Sequence, residues 1–293
     1  MENKADRWLG LLENSKSNTS FAHDSILIKG RCSSAFREYW THWIITSVFL
    51  FAMYFVICKY LEWSYYVKRK ENFTDWKCQP KKWPERNTLL NDIKVSLIAL
   101  SSATATISIY STYLFCGGHS LLYLEFSDYP WKWWIVQWPL IYFSQDYIAY
   151  WMHRVSHKGF LYKHMHAYHH RHRQPYPWNA FAVHPIEIII HLLTQLALLF
   201  VLPIHWVPYA TVSFYTFYHN IIQHSGIDFK PSWWEIGKPD VMFHDVHHIN
   251  GKVNFGLTCY VWDKIHGTMK KSNNQSSNIS KDPSIVGRSS ANK

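Results

Sequence analysis

Histidine is the residue type whose placement in this chain most clearly predicts chemistry. The chain has 19 histidines in 293 residues, and five of them fall within residues 164–173, HMHAYHHRHR. A segment of this length drawn at random would contain fewer than one. Imidazole nitrogens are common ligands of iron, zinc and copper. The concentration of histidines therefore indicates a metal site.

Three short motifs repeat one spacing of histidines. In HRVSH two histidines are four residues apart, and HAYHH and HDVHH each have one histidine followed by two more, three and four residues later. On a helix, residues with these spacings project from the same face. Eight rings are more than one tetrahedral or octahedral ion can use, so the count predicts two metal ions, and the histidine of QHSG is a ninth candidate. The predicted ligands are His153, His157, His166, His169, His170, His224, His244, His247 and His248.

The alternative for any one histidine is an ordinary packed or solvated ring. Without a metal, each clustered ring would need another partner, and a buried polar group left unpaired costs about 1–3 kcal/mol. We therefore favour ligation for the clustered residues. His164 and His172 flank the second motif out of phase and are predicted to be basic surface positions. His191 is predicted to be structural, and His219 is left unassigned.

A carboxylate precedes the first motif. Asp146 lies seven residues, or two helical turns, before His153 and so on the same helical face. A carboxylate within an apolar segment is costly and usually functional. We expect Asp146 to orient a ligand imidazole by bonding the second ring nitrogen. A structural aspartate is the alternative.

Long apolar segments must position these residues. With 48% apolar and 18% aromatic residues the chain is too hydrophobic to be disordered, and its 16 tryptophans suit a membrane interface. Residues 43–63, 93–116 and 133–152 form runs that could each cross a bilayer. Two shorter runs, 186–202 and 207–222, are separated by prolines. They predict either two spans or a helical hairpin that enters and returns.

The predicted fold class is all-α, a polytopic membrane helical bundle with a cytosolic, histidine-rich di-metal cap. The bundle has about four spans, or three spans plus a helical hairpin. The predicted organisation is a polar N-terminal tail (1–42), two spans with a basic loop (43–127), a domain with the histidine motifs (128–268) and a disordered polar tail (269–293).

The distribution of basic residues predicts an orientation. Residues 61–92 contain seven Lys and Arg, residues 153–173 contain five and no acid, and residues 117–132 contain one. Basic loops favour the cytosolic side. The histidine motifs are therefore expected in the cytosol and the N-terminus in the lumen, although Arg31 and Arg37 near the first span favour the opposite side. The sequon at Asn18 matters only if the N-terminus is lumenal.

Composition also excludes some classes of protein. The net charge of +10 does not indicate nucleic-acid binding, because the basic residues flank apolar spans and form no nucleic-acid-binding motif. Five scattered cysteines without a CxxC motif predict free thiols. The first 42 residues lack the apolar core of a cleavable signal peptide.

Taken in order, the motifs YWMHRVSH, KHMHAYHH and HDVHH, followed by NFG and WDKIHGT, resemble the fatty acid hydroxylase and sterol desaturase superfamily. The resemblance extends from about residue 128 to residue 268. The segment 162–187, which ends with His184, Pro185 and Glu187, is most similar to sterol C5-desaturases. The motif QHSG is somewhat more similar to cholesterol 25-hydroxylases and methylsterol oxidases.

The resemblance implies a multi-pass enzyme of the endoplasmic reticulum membrane. It would hold two iron ions, use O2 as cosubstrate and take electrons from cytochrome b5 and its reductase to desaturate a sterol. Hydroxylation of a sterol or fatty acyl lipid is the alternative reaction. The basic segment 153–173 suits an acidic electron donor. Six aromatic residues could line an interface pocket for a flat lipid, although an ordinary aromatic belt explains most of them equally well: Trp131, Trp133, Trp134, Trp138, Tyr176 and Trp178.

The competing class is a metal transporter or a non-catalytic lipid- or metal-binding membrane protein. Transporters place their ligands near the middle of the membrane on broken helices. Here the motifs follow the ends of apolar spans and lie among basic residues. This position favours an enzyme with its metal site at the membrane surface.

Overall fold

The computed structural model describes residues 34–233 and 237–270. The sequon at Asn18, Cys32 and most of both predicted tails lie outside these residues. The helices are α1 (Ala35–Leu61), α2 (Phe73–Trp76), α3 (Arg86–Phe115), α4 (Trp131–Ser156), α5 (Gly159–Leu161), α6 (Ala167–His170), α7 (Pro185–Leu196), α8 (Leu198–Val201), α9 (Trp206–Gln223), α10 (Val241–Asn250) and α11 (Val261–Ile265). Two short strands are β1 (Leu122–Tyr123) and β2 (Ile204–His205), π-helical turns occupy Glu62–Val67 and Tyr162–His166, and 3-10 turns occupy Lys70–Asn72, Phe126–Asp128 and Pro177–Asn179.

The helices α1 and α3 form the first pair of the bundle. By length and apolarity, Ala35–Val67 and Asn87–Phe115 are able to cross a membrane. The hydroxyl groups of Ser47 and Thr104 lie 2.8 Å apart where the two helices touch. Small hydroxyl-bearing residues allow membrane helices to approach closely. Both helices begin several residues before the predicted runs 43–63 and 93–116, because the flanking polar residues continue the helical hydrogen bonding.

The remaining predicted runs are helical as well. Trp131–Ser156 contains the run 133–152 and is long enough to cross a membrane, but it is less apolar than the first pair. The run 186–202 corresponds to α7 and α8, and the run 207–222 to α9. The predicted all-α membrane bundle is therefore confirmed.

A two-residue parallel pairing closes the end of the bundle away from the histidines. Leu122 pairs with Ile204, and Tyr123 pairs with His205. The pairing joins the connection between α3 and α4 to the connection between α8 and α9. Consequently α7–α8 and α9 both reach the far end of the bundle. This geometry favours two full passes over a shallow hairpin.

The opposite end of the bundle gathers the two basic segments, 61–92 and 153–173. Nε2 of Gln79 donates to the carbonyl oxygen of Arg173 at 2.8 Å. Nδ2 of Asn91 donates to the hydroxyl oxygen of Tyr168 at 2.7 Å. The two segments therefore lie at the same end of the bundle. This agrees with the prediction that both basic segments lie on the same side of the membrane.

A buried loop between α6 and α7 supports the histidine end. Tyr176, Trp178 and Ala180 are all buried. The carbonyl oxygen of Trp178 accepts from the hydroxyl of Tyr54 at 2.5 Å and from that of Ser96 at 3.1 Å. Buried backbone groups need such partners. The loop is thereby fixed against α1 and α3.

Four of the tryptophans proposed for a lipid pocket do not lie near the histidines. Trp131, Trp133, Trp134 and Trp138 occupy the start of α4, whereas His153 occupies its last turn. At 1.5 Å per residue they are at least about 20 Å from His153 along the helix. These four residues therefore do not line the histidine groups, and their assignment to an interface pocket or to an aromatic belt stays a prediction. Tyr176 and Trp178 do lie at the histidine end, within the buried loop.

The cysteines agree with the prediction of free thiols. Among the described residues, Cys58, Cys78 and Cys259 are free thiols.

Candidate metal centre

The first motif is placed by the end of α4. His153 lies in the last turn of the helix, and His157 is the residue that ends it. Their ring centroids are 5.1 Å apart. The spacing of four residues therefore brings both rings to one face, as predicted.

The third motif lies on α10, whose ends are fixed by local sequence. Oδ1 of Asp240 accepts from the backbone N–H of Phe243 at 2.9 Å, which caps the start of the helix. Gly251 ends it in the left-handed conformation, with φ of 69°. Only ten residues form this helix, and its buried face carries His244, His247 and His248.

The second motif lies on an irregular helical segment, α5 to α6. The turn Tyr162–His166 is π-helical, and α6 continues the segment to His170. Turns of this kind are rare and occur frequently at functional sites. His166, His169 and His170 are all buried at this point.

The nine predicted histidines form two adjacent groups. In each group the potential ligand nitrogens lie within 4.8 Å of one another. The first group is His153, His157, His166, His170 and His247, and the second is His169, His224, His244 and His248. Every predicted ligand belongs to one of the groups, and none of the described histidines outside the prediction joins either.

The two HxxHH motifs are divided between the groups in complementary ways. In the second motif, His166 and His170 belong to the first group and His169 to the second. In the third motif, His244 and His248 belong to the second group and His247 to the first. Around a helix, position i+4 lies about 40° to one side of position i, and position i+3 lies to the opposite side of it. One helix can therefore supply ligands to two neighbouring ions.

Backbone carbonyls orient several of these rings through Nδ1. The distance from Nδ1 to the carbonyl oxygen is 2.7 Å for His153 with Phe255, for His247 with Val253 and for His224 with Asn220. The corresponding distance from His248 to the carbonyl of His172 is 3.1 Å. Because a carbonyl can only accept, Nδ1 carries the proton in each ring. Nε2 then presents its lone pair to the group, as in metal-binding histidines.

The Nε2 atoms approach one another closely. The distance is 2.9 Å between His224 and His244, 3.0 Å between His169 and His224, and 3.1 Å between His170 and His247. Two facing lone pairs at these distances repel unless a cation or proton lies between them. Nε2 of His157 and of His166 are in addition buried without a hydrogen-bond partner. This donor set fits a pair of metal ions.

Burial also keeps these rings neutral. It lowers the pKa of His170 to about 2, with a further lowering by the neighbouring His166. Burial likewise holds the pKa of His244, His247 and His248 well below the ordinary value. A neutral imidazole has the lone pair that a metal requires. The site is therefore ready to bind metal at neutral pH.

Asp146 does not contact a histidine, so the prediction that it orients a ligand directly is wrong. Its Oδ2 accepts from Nε1 of Trp262 at 2.8 Å, and its Oδ1 accepts from the backbone N–H and the hydroxyl of Thr258. Sharing a helical face is not sufficient, because seven residues separate Asp146 from His153 by about 10 Å along the axis. The carboxylate instead fixes the segment after α10, which includes Phe255, the partner of His153.

Glu187 occupies the role that was predicted for Asp146. Its Oε1 lies 2.7 Å from Nδ1 of His166, and both side chains are largely buried. Glu187 belongs to the His-Pro-acidic similarity with sterol C5-desaturases, which assigns it no role. The adjacent His184 caps α7, because its Nδ1 accepts from the backbone N–H of Ile186 at 3.2 Å. The start of α7 thus delivers a carboxylate to the metal centre.

The flanking histidines differ from each other. His164 is exposed and lies against the ring of Phe160. The side chain of His172 is only 12% exposed, and its Nε2 lies 3.1 Å from Oδ1 of the buried Asp92. The prediction of a surface position is therefore correct for His164 and wrong for His172. Neither ring points into the metal centre.

The half-buried Gln79 bridges two distant parts of the chain. Nε2 of Gln79, which donates to Arg173, also donates to Oδ2 of Asp245 at 2.8 Å. Asp245 is fully buried within the third motif, and burial raises its pKa to about 7, an effect that the bond from Gln79 opposes. Gln79 therefore connects the basic loop with the third motif and with the segment that follows the second. No local pattern marks it, because its partners lie 94 and 166 residues away.

The histidine-bearing part of the chain is similar to several known proteins. Residues 138–268 match the fatty acid hydroxylase family model. A Delta(7)-sterol 5(6)-desaturase of Gibberella zeae is 28% identical over 171 residues, which cover 57% of this chain and 53% of the relative. The lathosterol oxidase of Rattus norvegicus is 32% identical over 158 residues, 52% of each chain. A putative methylsterol monooxygenase of Dictyostelium discoideum is 36% identical over 141 residues, 43% of this chain and 48% of the relative.

The chain spans about half the length of these curated relatives. No solved structure matches it significantly. The resemblance identified from the histidine motifs is confirmed, and all nine clustered histidines fall within the matched segment. Residues 138–268 of this chain are therefore similar to a fatty acid hydroxylase domain.

Proposed function

We propose that this protein is a membrane oxidase that introduces the C5–C6 double bond into a sterol. The observation that carries the proposal is the pair of histidine groups, five and four residues, within a domain whose relatives include sterol 5(6)-desaturases. The proposed cofactor is two iron ions, with O2 as cosubstrate. A cytochrome b5-type protein and its reductase would supply the electrons.

The nine histidines are the proposed ligands, five for one ion and four for the other. Bound iron would supply O2 activation, which is the chemistry of the cofactor. The chain itself holds the ligand nitrogens in place. Carbonyl oxygens fix the Nδ1–H groups of His153, His224 and His247, and Glu187 fixes that of His166, so the Nε2 lone pairs of these four rings point inward. Burial excludes water from the rings, and Asp146 secures the segment that contains Phe255.

The position of the centre suits a membrane substrate and a soluble electron donor. The histidines lie at the end of the bundle that gathers the basic segments 61–92 and 153–173. We propose that this end faces the cytosol at the endoplasmic reticulum membrane. An acidic donor could then approach the basic surface through electrostatic attraction. The lipid substrate would enter from the adjacent bilayer.

A second candidate is oxygenation of the sterol instead of desaturation. The similarity to a putative methylsterol monooxygenase, 36% identical over 141 residues, favours this alternative. The same histidine set could serve either reaction, because the ligands do not determine the product. A non-catalytic lipid- or metal-binding protein remains the competing hypothesis from another class.

The proposal is tested in a host that lacks its own sterol C5-desaturase. Expression of the wild-type chain should restore Δ5 sterols in the lipid profile, and the purified protein should contain close to two iron ions per chain. His244→Gln should abolish the product, whereas His164→Gln, the same substitution at an exposed histidine, should retain it. Accumulation of a hydroxylated sterol would favour the second candidate. Loss of iron without loss of product would contradict metal-dependent oxidation.

A further inference from the structure

A groove lies beside the last two turns of α1, at the end of the bundle that carries the histidines. Its volume is about 530 Å³, and its lining residues are Phe55, Val56, Lys59, Tyr60, Trp63 and Trp178. Five of them belong to α1 or to the π-helical turn that follows it, whereas Trp178 belongs to the buried loop between α6 and α7. Two distant parts of the chain therefore form a concave surface, which one helix alone could not provide.

The first part of the groove is apolar. Val56 is 68% exposed and Phe55 is 40% exposed. The ring of Phe55 meets the buried ring of Trp178 edge-on, with the two centroids 5.7 Å apart. Because α1 is long and apolar enough to cross a membrane, these side chains would lie among lipid chains. The surface suits an acyl chain, since burial of its methylene groups is favourable.

Cationic side chains follow one turn further along the chain. The side chain of Lys59 is 70% exposed, and its Nζ donates to Oε2 of Glu62 at 2.9 Å. An ammonium group has three N–H donors, so Lys59 can also bond a further acceptor. Nζ of Lys68, an exposed residue, lies 5.4 Å from the ring centroid of Trp63. Both lysines therefore lie at the rim of the same groove.

The order of residue types along α1 matches the order of groups in a phospholipid. Tyr60 and Trp63, which are 62% and 53% exposed, lie between the apolar part and Lys68. Tyrosine and tryptophan favour the level of the lipid headgroups, and lysines next to a span attract anionic lipids. A phospholipid would thus place its chain in the apolar part and its phosphate at the lysines. A sterol offers only a neutral hydroxyl to these cations.

We propose that this groove binds one anionic phospholipid, with an acyl chain in its apolar part and the acidic headgroup at Lys59 and Lys68. None of its lining residues is a histidine, so the site is separate from the metal centre and does not depend on the proposed reaction. Its occupant would still affect the histidine end. Oε1 of Glu62 accepts from the hydroxyl of Tyr176 at 2.8 Å, and Lys59 thereby connects the groove with the buried loop.

Lipid binding to the purified full chain in detergent tests the proposal without turnover. Phosphatidylserine and phosphatidylcholine with identical acyl chains are titrated in turn, and bound lipid is counted by native mass spectrometry. Wild type should bind phosphatidylserine about tenfold or more tightly, because each lysine near an anionic group contributes about fivefold. Phosphatidylserine should also raise the melting temperature more than phosphatidylcholine does, since it binds the folded chain.

Substitutions distinguish a groove from a merely basic surface. Replacement of both lysines, Lys59→Gln with Lys68→Gln, should reduce the preference for phosphatidylserine to about unity. Val56→Trp fills the apolar part but keeps both lysines, and should abolish tight binding of phosphatidylserine. Lys132→Gln is the matched control. It also removes a lysine near a tryptophan ring, 5.9 Å from the centroid of Trp131, but in the first turn of α4, and should bind as wild type does.

The headgroup without acyl chains, glycerophosphoserine, separates a lipid site from a site for soluble phosphates. It should not displace phosphatidylserine, and full displacement at equal concentration would overturn the inference. Displacement by a 3-hydroxysterol at equal concentration would do the same, because the groove would then be a sterol site.

Two further results would contradict an anionic phospholipid site. One is equal affinity of wild type for phosphatidylserine and phosphatidylcholine, and the other is unchanged binding of phosphatidylserine to Val56→Trp. If the double lysine variant does not fold, Lys68→Gln alone decides the role of charge, because it leaves the ion pair of Lys59 with Glu62 intact. This variant should lower the preference about fivefold, and an unchanged preference would overturn the assignment of the headgroup.

Discussion

Nδ1 of His248 donates to the backbone carbonyl of His172 across 3.1 Å. The side chain of His172 turns the other way, towards Oδ1 of Asp92, which lies 3.1 Å from its Nε2. His172 therefore supports a proposed ligand through its backbone and is held by α3 through its ring. This relationship distinguishes the residues inside the histidine groups from those that flank them.

Substitution of single histidines should reduce activity much more for residues inside the two histidine groups than for the residues that flank them. His166→Gln, His244→Gln and His248→Gln each remove one nitrogen from a buried group and should lower activity by at least about 100-fold, because changes to groups that merely support a ligand already cost about 10–100-fold. His164→Gln and His172→Gln should retain most turnover, since the backbone carbonyl of residue 172 is unchanged. The measurement is sterol conversion per unit of protein, with membrane insertion checked by immunoblot.

The two variants of flanking histidines should differ from each other in activity. His172→Gln should be more sensitive than His164→Gln, because only His172 has a buried partner, Asp92. Similar modest losses for clustered and flanking variants would show that the histidines form a basic surface and not a metal centre.

Asp146→Asn should lower stability more than metal content. The carboxylate accepts from Trp262 and twice from Thr258, and an amide can accept only on its oxygen, so at least one donor loses its partner. The expected loss is about 1–3 kcal/mol in the free energy of unfolding. Thermal unfolding in detergent measures it, and iron analysis of the same sample gives the metal content. An unchanged melting temperature, or a loss of iron as large as that of His153→Gln, would contradict this role.

Sequence was sufficient to find the nine clustered histidines because their signal is local. Spacings of three and four residues place rings on one helical face whatever the rest of the chain does. The division into two groups is not local. It depends on how the helical segment of His166 packs against the helix of His244. The sequence therefore predicted two ions but not which histidines would bind each ion.

Most of the hydrogen-bond acceptors that orient the histidine rings could not be predicted from the sequence. Phe255, Val253 and Asn220 contribute backbone carbonyls, which every residue has. Asp146 was assigned by helical face, and the assignment failed because reach along the axis matters as much as direction. Glu187 was noticed only through the family resemblance, and its contact with His166 depends on how α7 packs against the second motif.

Gln79→Leu should weaken the attachment of the basic loop to the metal centre. The substitution removes hydrogen bonds to Arg173 and Asp245 and leaves both buried oxygens of Asp245 unpaired. We expect a loss of about 1–3 kcal/mol in the free energy of unfolding and faster loss of iron to a chelator. Lys81→Gln, an exposed change in the same loop, is the matched control. If both variants release iron at the wild-type rate, Gln79 does not stabilise the centre.

Removal of metal should destabilise the folded chain. The facing Nε2 atoms, 2.9 Å apart in His224 and His244, lose the cation that would offset their repulsion. A bound metal at 100 times its dissociation constant contributes about 2.7 kcal/mol for one site. Chelation should therefore lower the melting temperature, and addition of Fe²⁺ should restore it. His244→Gln should already melt lower and respond less to chelation, whereas His164→Gln should respond as wild type does. A melting temperature that is the same with and without chelator, in a sample shown to have lost its iron, would mean that the histidine groups are stabilised by something other than metal.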